Sequence, residues 1–84
     1  MSGRTIRVVG LKDGDLFFVQ ALEVDIAAQG RTLDEASERF RIALNAEQRD
    51  ADETGRDLFD IGPAPASFHE LYDDDPIYRE KLVA

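Results

Sequence analysis

The chain changes its hydrophobic period near residue 30. Before that point apolar positions follow a strand-like pattern, and after it they recur at helical spacing. Residues 5–9 are rich in β-branched side chains, are bounded by Gly10, and predict a strand. Lys12-Asp13-Gly14-Asp15 supplies a turn in which Gly14 can take positive φ. Residues 16–22 predict a second strand, so the two form a hairpin. Glu23 to Asp25 reads as another tight connection, leading to a third strand at 26–29 that runs into Gly30.

A helix follows with clear entry signals. Thr32 is a good N-cap, and Glu35 stands three positions on, as a capping box requires. Asp34, Glu35 and Glu38 place negative charge where the helix dipole favours it. Leu33, Ala36, Phe40, Ala43 and Leu44 form one apolar stripe, flanked by the i,i+4 pair Glu35 and Arg39. Beyond Leu44 the stripe gives way to polar residues, so the last turns are expected to project into solvent, with Gly55 as the stop. A helix over 32–54 would be about 35 Å long at 1.5 Å per residue. Residues 58–61 read as a short fourth strand or a hydrophobic latch. Ser67 with Glu70 suggests a second capping box and one or two helical turns through Tyr72. Asp75-Pro76 is expected to open a last short helix.

The second strand is apolar on both sides. Phe18, Leu22 and Val24 point one way, with Gln20 among them, while Phe17, Val19 and Ala21 point the other. One long helix covers only one face of such a sheet. The other face must meet Phe59, Phe68 and Tyr72 folding back from the tail, a second copy, or a different protein. Phe17, Val19 and Ala21 are expected to be left over by the helix and to form a homo-oligomer interface, in a dimer or larger assembly.

Composition narrows the partners. Eighty-four residues make one small domain with a net charge of −8. The charge is uneven: residues 1–49 carry seven basic and eight acidic side chains, and 50–84 carry three and ten. Nucleic-acid binding relies on cations that neutralise phosphates, so direct DNA or RNA binding is not expected. A basic protein is the better electrostatic match. The chain has no cysteine, which excludes disulfides and thiolate metal sites. It has no apolar run long enough to span a bilayer, and its first residues lack an apolar signal segment, so no membrane partner and a cytoplasmic setting are expected.

Candidate chemistry is sparse. Asp13 and Asp15 flank a turn glycine, and Glu23 and Asp25 belong to a connection, so these acids read as structural before they read as a magnesium site. Asp73-Asp74-Asp75 lacks the spacing of a calcium loop. His69 is the only histidine, and Ser2, Ser37 and Ser67 lie in no nucleophile-elbow setting. No phosphate loop is present. No catalytic residue, cofactor or metal is assigned, and the chain is not expected to be an enzyme.

The stretch Leu22-Glu23, then Gln29-Gly30-Arg31-Thr32-Leu33-Asp34-Glu35-Ala36 opening a long helix, resembles the HicB family of antitoxins over roughly residues 4 to 54. The resemblance implies a β-β-β-α-β fold similar to a truncated ribonuclease H. It also implies a role in neutralising a small, basic, RNA-cleaving toxin of the HicA type. Many members carry a DNA-binding domain after this one, whereas only an acidic stretch without a basic recognition helix follows here. The expected architecture is α+β: three to four antiparallel strands on one long helix (residues 1–62) and a short helical acidic extension (63–84). Phe59, Phe68, Tyr72, Tyr78, Asp73 and Asp74 are the expected partner-binding residues. The alternative to an antitoxin is a stand-alone oligomeric interaction module with no toxin partner.

Overall fold

The computed structural model describes residues 3–83. Strands β1 (Thr5–Asp13), β2 (Leu16–Ala21) and β3 (Ala27–Gly30) come first, followed by helix α1 (Leu33–Thr54). A 3-10 turn (Leu58–Ile61), helix α2 (Ala66–Asp73) and strand β4 (Tyr78–Val83) complete the chain. The sheet is antiparallel in the order β3-β2-β1-β4. The architecture is α+β, with the β-β-β-α-β order embedded in it.

Entry into α1 follows the expected chemistry with one variation. The Thr32 hydroxyl accepts from the Glu35 amide at 3.0 Å, but the Glu35 carboxylate accepts from the amide of Arg31 rather than that of Thr32. The helix sits close on the sheet because Gly30 lets it. A Cβ there would lie 2.6 Å from the Ala36 nitrogen, a distance no side chain can occupy. Ala36 and Phe40 then pack on Ile6, Val8, Val19, Ala21, Val24 and Ile26 to form the main core, with Leu58 closing it.

Four expectations are corrected. First, β1 does not end at Gly10 but continues to Asp13, and Gly10 stays in the strand because Tyr78 and Leu33 press on it; a Cβ would meet the Tyr78 Cβ at 2.9 Å. Second, the last turns of α1 do not project wholly into solvent, because residues 58–61 take the latch alternative over the strand and fold back. The chain turns back at Gly55 in the left-handed conformation, Asp57 caps the 3-10 turn, and Leu58 is buried in the core. The end of α1 is consequently not wholly in solvent, since Ala51 is buried. Third, α2 starts at Ala66 without a side-chain cap from Ser67, as Pro65 occupies the N-cap position.

The fourth concerns residues beyond Pro76, which form a strand and not a helix. Tyr78, Glu80 and Leu82 alternate with Arg79 and Lys81, and this period of two matches β1 residue for residue, from Gly10 opposite Tyr78 to Thr5 opposite Val83. Tyr78 and Leu82 pack against the main core, so the C-terminal stretch is part of the sheet. The charged Arg79 and Lys81 on this edge strand oppose edge-to-edge aggregation.

Phe40 is 2% exposed at the centre of the α1 interface. Phe40→Ala is expected to cost about 3–5 kcal/mol, most of the stability of a domain this small. A chemical denaturation midpoint close to that of the parent protein would contradict this packing.

Candidate partner-binding surface

The two faces of the sheet are covered unequally, and not in the expected sense. Phe17, Val19 and Ala21 lie on the α1 side. Val19 and Ala21 are 1% and 0% exposed in the core with Ala36 and Phe40, and Phe17 packs at its margin. Val19 and Ala21 are therefore unavailable as an oligomer interface, and Phe17 is only partly exposed. Alternation along a strand fixes which residues share a face, but not which face receives the helix; Gly30 and the cap at Thr32 steer α1 to this one.

The other face carries Arg7, Val9, Leu11 and Asp13 from β1 with Phe18 and Gln20 from β2. Helix α2 folds back across part of it, as the tail alternative required. The anchor is Arg7. Its side chain meets the Glu23 carboxylate through Nε and Nη2, each at 2.7 Å, while its backbone amide donates to the other Glu23 oxygen at 2.6 Å. The Arg7 guanidinium also lies 3.4 Å from His69 Nδ1 and 5.5 Å from the Tyr72 ring. Arg79 adds a bond to the Tyr72 carbonyl at 2.9 Å. The Ala64 amide ties the approach to α2 onto the Leu22 carbonyl at 2.9 Å. Burial alone would raise the Glu23 pKa, but its bonds to Arg7 outweigh that and hold it below the ordinary 4.5.

Beside α2 the face stays open. Leu11, Phe18, Ala27 and Phe68 line a cleft of about 180 Å³, with Asp13 at its lip and Gln20 in its floor. Gln20 is 5% exposed, and its amide nitrogen donates to the Ala21 carbonyl and to the Asp25 carboxylate, both at 3.0 Å.

The expected binding residues do not converge. Phe68 and Tyr72 belong to this face, with Asp73 exposed at the end of α2 and Asp74 just beyond it. Phe59 and Tyr78 lie on the α1 side; Phe59 stacks under Arg4 at 3.6 Å, and the Tyr78 hydroxyl donates to Glu80. Leu11 and Ala27 were not foreseen as site residues. Leu11 fell outside the expected first strand, and a lone exposed alanine carries no signal of its own. Among the described residues no group of three or more acidic or histidine side chains is placed to hold a metal ion, and no helix is long and apolar enough to cross a membrane.

No family model matches the chain. Neither a curated protein nor a solved structure matches it at a significant level.

The Arg7–Glu23 contact gives a pH signature. Because the folded-state pKa of Glu23 is depressed, its contribution is complete above 4.5 and is lost as pH falls through the lower folded value. Glu23→Gln is expected to remove that component, so acid titration of stability should be shallower in the variant than in the parent. Superimposable slopes below pH 4.5 would contradict the clamp.

Proposed function

We propose that this chain is a non-catalytic protein-binding module that acts as a HicB-like antitoxin, covering a small, basic, RNA-cleaving toxin. The observation that carries the reading is the open cleft beside α2, apolar on its walls and acidic at its lip, in a chain of net charge −8. Such a surface suits a cationic protein: apolar contact supplies affinity, and the charge supplies orientation and association rate. The motif that resembles the HicB family supports the same reading, and it has a physical basis here. Gly30, Thr32, Glu35 and Ala36 together set how α1 enters and lies on the sheet.

A nuclease reading has less support. Of the acids that would serve it, Glu23 is clamped by Arg7, and among the described residues no group of three or more acidic or histidine side chains is placed to hold a metal ion. Self-association through Phe17, Val19 and Ala21 has less support, because Val19 and Ala21 are buried under α1.

The test is co-expression with the product of a short basic gene adjacent to this one, read by growth rescue and co-purification. Rescue and a stable complex are expected, with association slowing about tenfold between low and high salt. Neither rescue nor complex would discard the antitoxin reading and favour the stand-alone interaction module.

The role of the tail is best tested by point substitution, because β4 is a strand of the sheet. Deleting residues 77–84 is expected to abolish cooperative unfolding. A truncated chain with an intact melt would show that β4 is dispensable.

A further inference from the structure

We propose that the cleft between the Phe18 face of the sheet and α2 is a docking site for an extended, basic protein segment. That segment places one apolar side chain in the cleft and a cationic side chain two positions to either side. This rests on the reading of the chain as a binder of a basic partner, and specifies where contact is made and by what chemistry.

Three observations define the occupant. The first is volume and lining. Leu11, Phe18, Ala27 and Phe68 surround about 180 Å³, and an apolar cavity of about 150 Å³ is enough to hold a benzene ring. One branched aliphatic or aromatic side chain therefore fits, and the partly exposed rings of Phe18 and Phe68 lose contact with water when it enters.

The second is charge. Asp13 lines the cleft, and Asp25 neighbours it through Gln20, whose side-chain amide donates to the Asp25 carboxylate. Both are exposed, and neither forms an ion pair among the described residues. The cations on this face of the sheet are already engaged or lie outside the lining: Arg7 is bound to Glu23, and Arg79 donates to the Tyr72 carbonyl. Nothing in the lining is basic. A second copy of this acidic chain would meet repulsion here, whereas a cationic segment would not.

The third is strand geometry. In an extended segment, residues two before and two after an anchor point the same way as the anchor. A segment whose apolar side chain enters the cleft therefore turns its flanking cations toward the sheet face that carries Asp13.

The probe is the blocked peptide Lys-Ser-Leu-Ser-Lys, titrated into the intact ¹⁵N-labelled protein. Saturable amide shifts at Leu11, Phe18 and Ala27 are expected. Binding should weaken about tenfold for Lys-Ser-Ser-Ser-Lys, and similarly for Glu-Ser-Leu-Ser-Glu. Ala27 is exposed, so Ala27→Trp fills the cleft without disturbing the core, and it should abolish the shifts while leaving the thermal melt unchanged. Asp13→Lys should weaken binding several-fold and reduce its salt dependence.

Equal binding of the serine peptide, shifts centred on Asp73 to Asp75, or binding that survives Ala27→Trp would overturn the proposal. So would a dimer of the free protein that Ala27→Trp converts to a monomer, because the occupant would then be a second copy. Capture of the toxin undiminished by Ala27→Trp would overturn the cleft and leave the antitoxin reading standing. Peptide binding in the cleft without toxin capture would do the reverse.

Discussion

Both faces of the β1–β2 hairpin are apolar, and a chain of 84 residues has few elements with which to dry them. That constraint organises the molecule. Helix α1, pressed onto the sheet at Gly30, covers the face of Val8, Val19 and Ala21 completely. What remains for the opposite face is an eight-residue helix with no buried residue of its own. Helix α2 is held by polar contacts as much as by apolar ones, through Arg7, Glu23 and Arg79. Its reach ends at Phe68, and the cleft is the part of the second face that it does not close.

Much of this was legible in the sequence, and the parts that were not have identifiable causes. The hairpin turn, the α1 cap at Thr32 and the apolar stripe from Ala36 to Phe40 are local signals, and these three were met in the structure. The errors came from tertiary competition. Gly10 reads locally as a strand end, yet it is retained in β1 because β4 and Leu33 need its empty side. Asp75-Pro76 reads locally as a helix start, yet β1 offers an unpaired edge, and six residues of alternating Tyr78 to Val83 fill it.

The candidate binding surface was only half visible for a similar reason. Two-sided apolarity in β2 shows that two coverings are needed, but parity cannot assign them, and the choice of Phe17, Val19 and Ala21 as the exposed set was reversed. Phe68 and Tyr72 are among the tail aromatics expected to fold back on the sheet or bind a partner, and they do lie on the second face. Phe59 and Tyr78 shared that signal but serve the α1 side. An aromatic side chain in an acidic tail signals burial without saying against which face.

The central claim is that recognition occurs on the face α2 leaves open, and not on the outer surface of α1. Hydrogen exchange of the intact protein, free and in complex with the proposed basic partner, measures this most directly. Binding is expected to slow exchange at the open end of the hairpin, residues 11–20, and in α2, with the solvent side of α1 around Arg41 and Ile42 unchanged. Protection confined to α1, with the hairpin end and α2 exchanging as in the free protein, would contradict the account.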